Sequence, residues 1–541
     1  MDIHLIRPVF RDGRVIALGW TFIHASDIGG SVPGSISPTN YEVFQEGVRL
    51  RPALLYDGGV LDEQLWHFFA DNSRIPDLIW GDLQAMMAGL ALLEARTHEL
   101  CDRVGTNAFL ESVADVMALS EVKARAAIAR LTPGTYRFHD YLETFDGGHV
   151  FMQASMTVHG ETLEMDFSGS DPQVRMAFNF TTSERAHPFL CMPVVNYIQT
   201  VEPTVPMTGG IIRPIKTKAP RGTFMNAEFP AAMGNRFVAV MRVYDAILGC
   251  LNQAVQAGII SASAVDARTG KRHVSVVEPF VGGSGGRCRA DGIDGIDQPV
   301  AFLRSAPIEV VEVETSLVVR RFAYEPGSAA PGRHRGGLAM RIELENRGWP
   351  ATMTVRGLER FRFQPWGFAG GAAGQEAHVV LNPGTEGERD IGKIDVLELQ
   401  KGDVLRMVTP AGGGFGDPLE RDPMLVGEEV RDGVLTAVQA REQYGVVLAA
   451  DGAVDVAATN ELRGGRARVA TSGFTLGPTR QALEEIWPAE TSAALATAVL
   501  EAPAQVRTFW MTALRKELGR SGGAVSVAAV RQATARMAEQ A

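Results

Sequence analysis

The 541-residue sequence predicts an α+β protein: a large, mixed and β-rich body followed by a helical C-terminal tail. Three observations predict this class. There are 58 glycines and 28 prolines, more than ordinary usage, which marks many turns between short elements. The apolar period is helical across 62–132 and moves toward two from Tyr136. From Ala482 the chain is Ala-rich and charged, with no strand pattern.

Taken in order, Pro8 to Leu18 reads as a hairpin with Asp12-Gly13 as its turn, and residues 29–34 as a loop. Leu65, Phe68 and Phe69, then Leu83, Met86, Met87, Leu90 and Leu93, fall at helical spacing. Asp82 is expected near the start of the second of these helices, where a carboxylate suits the positive end. Thr132-Pro133-Gly134 closes the region. Residues 150–158 and 163–167, with Gly160 between them, read as a strand pair. Residues 178–201 are mixed, 205–230 loop-rich, and 237–256 the most apolar helix. Residues 273–410 form a glycine-punctuated β-rich stretch with strands expected at 308–313, 317–322 and 340–344. After Gly416-Asp-Pro the chain turns polar and helical. The segments are 1–135, 136–418 and 419–541, against a prior of three or four domains at roughly 150 residues each.

A net charge of −11 argues against a nucleic-acid binder that works through a basic surface. With 45% hydrophobic residues the chain is not disordered. Asp2 and the Arg7-Pro8 pair do not suit a signal peptide, and no run nears the roughly 18 apolar residues of a membrane span. Cys101, Cys191, Cys250 and Cys288 form no CxxC pair, so structural zinc and a disulfide framework are not expected, and each reads as a small buried hydrophobe. A cytoplasmic protein that binds neither nucleic acid nor membrane is the expectation.

The glycine clusters Gly282-Gly-Ser-Gly-Gly-Arg287, Gly332-Arg-His-Arg-Gly-Gly337 and Gly412-Gly-Gly-Phe-Gly-Asp417 invite a phosphate-loop reading. The 327–334 segment has P-loop glycine spacing but lacks the Lys and Ser/Thr, and Asp417-Pro418 would break the helix that a dinucleotide loop opens. Tight turns and close backbone packing are the favoured reading. No ATP signature is visible, so any ATP site belongs to another chain. His24-Ala-Ser-Asp27, with Asp2 and His4 upstream, offers imidazole and carboxylate donors suited to Mn, Zn or Fe. The same spacing also suits a buried histidine bonded to Asp27. Asp291, Asp294 and Asp297 read as an acidic turn series rather than an EF-hand. Arg333, His334 and Arg335 could bind an anion or form a solvated loop. Asp245 inside the apolar helix needs a partner such as Arg236 or Arg242.

Several segments together resemble the hydantoinase B family, the B-type subunits of N-methylhydantoinases and 5-oxoprolinases, with relatives in acetone and acetophenone carboxylases. They are Pro8-Val-Phe with Asp12-Gly13, His24-Ala-Ser-Asp-Ile-Gly-Gly30, Phe44-Gln-Glu-Gly-Val-Arg49, Gly81-Asp-Leu83 and Asp166-Phe-Ser-Gly-Ser170. Pro307-Ile-Glu-Val-Val-Glu312, Gly332 to Gly337, Pro365-Trp-Gly367 and Thr409 to Pro418 continue the series, and the likeness runs from about Pro8 to about residue 515.

The resemblance implies one continuous body of interlocked lobes. It implies an ATP-dependent cyclic-amide hydrolase in which an A-type subunit with an actin-like fold binds ATP and phosphorylates the substrate. A ketone carboxylase subunit is the alternative, and a non-catalytic assembly subunit a third. It implies a divalent metal held by Asp2 and His24, with Asp27 orienting His24 and Arg333 or Arg335 holding a substrate carboxylate or phosphate. A further metal histidine of the family would fall before Met1, so a small subunit supplying that segment is an expected partner in a hetero-oligomer. Phe302 and Leu303, where the family is richer in His, Thr and Asn, imply a more apolar substrate pocket.

Overall fold

The computed structural model of the chain describes residues 2–183, 185–251, 257–265, 272–296, 307–356, 358–394, 396–468 and 473–540. Asp297, Phe302, Leu303 and residues 252–256 lie outside the described residues.

The N-terminal hairpin forms as expected. β1 (Asp2–Arg11) and β2 (Arg14–His24) pair antiparallel around Asp12 and Gly13, whose φ angles of 51° and 73° are the left-handed pair a two-residue turn requires. A short ribbon, β3 (Tyr56–Asp57) with β4 (Val60–Leu61), leads into α1 (Glu63–Asn72), α2 (Pro76–Val104) and α3 (Thr106–Ile128). Ile3, Leu5 and Ile23 of the hairpin pack against Ile79, Leu83 and Met86 of α2. Pro76 opens α2, so the first-turn carboxylate is Asp77, and Asp82 sits farther along than expected. α2 is the one described helix long and apolar enough to cross a membrane. Here its apolar stripe covers the hairpin, and its Glu94 pairs with Arg7 at 2.6 Å.

The central layer is a four-stranded sheet in the order β5–β6–β7–β8. β5 (Gly134–Glu143), β6 (His149–His159) and β7 (Thr162–Asp166) run antiparallel. After α4 (Pro188–Val201), β8 (Ile215–Lys218) joins parallel to β7. α5 (Arg236–Cys250) is buried along almost its whole length against this sheet, with Val240, Val243 and Ile247 meeting Phe138, Ala154 and Leu190 in one core. Its apolar character all round is explained by that position.

Next come β9 (Ala257–Val265), β10 (Arg272–Val281), α6 (Ile308–Glu314), β11 (Leu317–Tyr324), β12 (Met340–Asn346) and β13 (Ala351–Arg356). They are followed by β14 (Gly367–Phe368), β15 (His378–Leu381), β16 (Arg389–Asp390), β17 (Val396–Leu399) and β18 (Val404–Val408). They build two sheets, β10–β9–β13–β17 and β11–β12–β18–β15–β16, around a core containing Leu344, Met353, Val379, Leu399 and Leu405. The expected strand at 308–313 is a helix instead. Pro307 sets its start, Val311 turns fully inward, Val313 is 85% exposed, and Glu312 accepts from the Val319 N–H to guide the chain into β11. The β-branched residues there satisfy a single turn of buried surface, not a two-faced strand.

The C-terminal part is helical as expected: α7 (Pro423–Arg431), α8 (Ala437–Tyr444), α9 (Val456–Gly464), then β19 (Phe474–Thr475) paired with β14. α10 (Pro478–Ile486), α11 (Ala489–Leu500), α12 (Arg507–Leu518) and α13 (Val527–Gln540) close the chain. The lobes interlock through buried charge. Arg360 donates to Asp140 of β5 at 2.7 Å and to Asp245 of α5 at 2.9 Å, and Arg242 reaches Asp245 at 2.6 Å. Arg480 of α10 stands 3.7 Å from the same Asp140.

The glycine clusters are packing devices. A Cβ on Gly283 would lie 1.9 Å from the Gly337 carbonyl oxygen, one on Gly412 1.9 Å from that of Ser284, and one on Gly414 2.1 Å from that of Pro331. Backbone bonds such as Gly337 N–H to Ser284 O at 2.8 Å tie these segments together. All four cysteines are free, but Cys288 is exposed rather than buried, because it sits in the turn bridging Arg287 and Ala290.

Candidate functional site

Asp2 and His24 are register partners at the open end of the β1–β2 hairpin. The period of two that turns Ile3 and Ile23 inward, half-buried against α2, puts both on the outer face, beside Trp20 and Phe22. Asp2 Oδ1 lies 2.7 Å from His24 Nδ1, and Arg236, the first residue of α5, donates to Asp2 Oδ2 at 2.5 Å. Burial works against the Asp2 charge, but the His24 hydrogen bond and the Arg236 guanidinium outweigh it and hold the carboxyl well below its usual range. With Nδ1 facing Asp2, the His24 Nε2 is directed away from the carboxylate, on a side chain that is 64% exposed.

Glu46 and His187 flank this corner. Glu46 accepts from the backbone N–H groups of Met233 (2.9 Å) and Gly234 (2.6 Å), which fixes the approach to Arg236, and burial raises its pKa. His187 caps α4, accepting at Nδ1 from the Phe189 N–H at 3.2 Å. Burial and then the nearby Arg236 charge lower its pKa.

Asp27 has a different role from the one expected. It is fully buried and does not touch His24. Its carboxylate accepts from the N–H of Gly29 (2.9 Å) and of Gly34 (2.8 Å) and from the Arg74 guanidinium (3.0 Å). It therefore orders the loop after His24 rather than the imidazole. That loop and the Phe44–Arg49 segment interlock through glycines at positive φ. A Cβ on Gly30 would lie 2.6 Å from the Gln45 carbonyl oxygen, and one on Gly47 2.6 Å from that of Ile28. Between them and α1 opens a cleft of about 580 Å³ lined by Gly29, Gly30, Phe44, Arg49, Phe68 and Arg74, among others. The Arg49 guanidinium lies 4.7 Å from the Phe229 ring centre and 5.4 Å from that of Phe44, with no carboxylate partner among the described residues.

The two remaining expectations separate. Arg335 is buried and saturated by Asp294 at 2.8 Å and Glu429 at 2.7 Å, so it cannot hold a substrate. Arg421 joins the same cluster through Asp291 at 2.7 Å, which gives the acidic turn series its purpose. Arg333 stays exposed, 3.9 Å from Glu420. No local pattern marks Arg49, Glu46 or His187 as a site residue, and from the sequence Arg236 is expected only as a partner for Asp245. Its place beside Asp2 depends on a contact across 234 residues that no local pattern carries.

Over residues 1–418 the chain matches the family described as hydantoinase B/oxoprolinase. It belongs to that family. A protein of Pseudomonas sp. (strain NS671), named as the B-type subunit of a D-/L-hydantoinase, is 30% identical over 482 residues, covering 85% of this chain and 81% of its own. The crystal structure of the ATP-dependent caprolactamase from Pseudomonas jessenii superposes with a TM-score of 0.76 at 25% identity, covering 86% of this chain and 83% of that one. A nucleotide-free acetone carboxylase structure shares the fold, with a TM-score of 0.75 at 18% identity over 98% of this chain and 78% of that one. The pair expected from this family's pattern, Asp2 and His24, is the pair the hairpin brings together. Its donor types suit a divalent metal, but no group of three or more metal-binding side chains occurs among the described residues.

Proposed function

We propose that this hydantoinase B/oxoprolinase-family chain is the B-type subunit of an ATP-dependent cyclic-amide hydrolase, working on a substrate phosphorylated by an A-type partner subunit. The observation that carries the reading is the Asp2–His24–Arg236 corner, assembled from the hairpin end and the start of α5 on the family's scaffold. The naming of relatives as hydantoinase and caprolactamase supports cyclic amides as the substrate class.

Phosphorylating the amide oxygen leaves an electrophilic carbon and a dianionic leaving group, so the receiving site needs fixed positive charge and shelter from bulk water. Arg49, which has no carboxylate partner among the described residues, and Arg333, whose exposed ion pair with Glu420 is long at 3.9 Å, are guanidiniums able to hold phosphate or carboxylate. His24 would hold a divalent cation, Mn, Zn or Fe, through Nε2 together with donors from a partner chain, and Asp2, expected as a second ligand, would instead orient the imidazole. Such a cation would supply polarisation of the substrate oxygen. Asp2 fixes the imidazole through Nδ1, and Arg236 steadies Asp2 from its other side.

The test combines the purified chain and its A-type partner with lactams, hydantoins and 5-oxoproline, following ATP consumption and ring opening. Amide-dependent ATP use without bicarbonate is expected. His24→Ala should lower bound metal and turnover by at least about tenfold while the melting temperature holds. ATP use that needs bicarbonate and a ketone would replace the hydrolase reading with a carboxylase. Unchanged metal content and turnover in His24→Ala would remove the catalytic role of this corner.

A further inference from the structure

A second cleft, about 490 Å³, lies between the central sheet and α12 of the tail. None of its lining residues belongs to the Asp2–His24 corner, and α12 lies beyond residue 418, where the family match ends. Val150, Val174, Met176 and Met511 make its walls largely apolar.

Its polar groups fall into two sets. One is satisfied within the protein. Arg515 donates to both oxygens of Asp171 at 3.0 and 2.8 Å and to the His149 carbonyl at 2.8 Å, and Asp146 accepts from Thr144 Oγ1 at 2.5 Å and from the Gly148 N–H at 3.1 Å. The other set is open. Lys516 and Arg175 are exposed at the rim with no carboxylate partner among the described residues, Arg175 lying 5.0 Å from the Tyr41 ring centre. Three cations thus face two carboxylates. The His149 ring meets Tyr141 and Phe363 edge-on, at 5.3 and 6.3 Å between ring centres, and its nitrogens take no hydrogen bond among the described residues. Burial, then the Arg515 and Arg362 charges, keep this ring neutral, so it carries one unused donor and one unused acceptor. A neutral ring with an unmet donor and acceptor on the lining of a largely apolar cleft offers a ligand an orienting hydrogen bond.

We propose that this cleft binds a small organic monocarboxylate, its carboxylate between Lys516 and Arg175, its apolar body over Met176 and Met511, and His149 supplying a hydrogen bond at the base. One negative charge balances the surplus positive one. An inorganic anion would leave the apolar walls without a partner.

The experiment is calorimetric titration of the full chain with hexanoate, hexanol and inorganic phosphate. Hexanoate should bind at one site, with hexanol and phosphate each at least about tenfold weaker. Lys516→Glu and Arg175→Glu, both at exposed positions, should each weaken hexanoate about tenfold without changing the melting temperature. His149→Phe should weaken it less. No hexanoate binding, equal binding of phosphate, or hexanoate binding unchanged in both charge-reversed variants would overturn the proposal.

Discussion

At Asp27 one buried carboxylate serves three backbone N–H groups, of Gly29, Gly34 and Arg74, and the half-buried Arg74 guanidinium, which also donates to the Gly30 carbonyl at 2.8 Å. Removing it leaves a cation without its counter-charge and three backbone donors without their acceptor. Asp27→Ala is expected to cost about 2–4 kcal/mol in urea unfolding. It should also weaken activity, because the loop it orders forms one wall of the cleft beside Arg49. Were Asp27 an orienter of His24 and no more, stability would hold and activity alone would fall. Arg335 makes the same point from the other side. Its motif position suggested substrate binding, but the bonds from Asp294 and Glu429 outweigh its burial and raise its pKa, leaving an arginine committed to the scaffold. A one-dimensional motif shows that an arginine is required and is silent on whether its partner is a substrate or an aspartate.

Among the elements, those governed by short-range rules were readable in the sequence. The β1–β2 hairpin followed from Asp12-Gly13 and alternating burial, α5 from its continuous apolar run, and the tail helices from composition. Elements decided by distant neighbours were not. α6 is rich in β-branched Ile and Val, as a strand would be, yet no strand partner exists for it among the described residues. The glycine clusters were rightly read as backbone packing, but which segment meets which could not be read, since Gly283 meets Gly337 and Gly412 meets Ser284 far along the chain. The candidate corner divided the same way: one hairpin pairs Asp2 with His24, whereas Arg236 and Glu46 reach it only through tertiary packing. This backbone-to-backbone seating predicts a severe effect from one methyl group. Gly412→Ala places a carbon 1.9 Å from a carbonyl oxygen that has no side-chain freedom to move. It should destabilise by more than about 3 kcal/mol, read as loss of soluble protein and a lowered unfolding midpoint. Gly433→Ala, where nothing lies within 4 Å, should be far milder despite its positive φ of 75°.

For the whole molecule, the decisive feature is the buried ion network that joins β5, α5, the 358–363 segment and α10. Asp140 sits at its centre, completely buried, with Arg360, Arg242 and Arg480 around it. Burial opposes its charge, but the three guanidiniums outweigh that and hold its pKa at about 2 against an ordinary 3.8. Because the folded pKa is the lower one, the stability it contributes is complete above the ordinary carboxylate range and is lost as pH falls through about 2. Glu484, which bonds His139 and Arg480, is likewise held at about 2, so both groups steepen the same acid limb. Asp245 and Glu359 shift upward under burial and act oppositely, since their charged forms cost stability near neutrality and protonation relieves that cost. Asp140→Asn at neutral pH should leave the guanidiniums short of one anion and cost about 3–5 kcal/mol, because a buried pair is broken on one side only. Its melting temperature should also fall less steeply than that of the parent between about pH 4 and pH 2, since the asparagine has no proton to gain. Parallel acid limbs for the two proteins in a calorimetric pH series would mean that the lobes are joined by apolar packing alone, with the network a passenger.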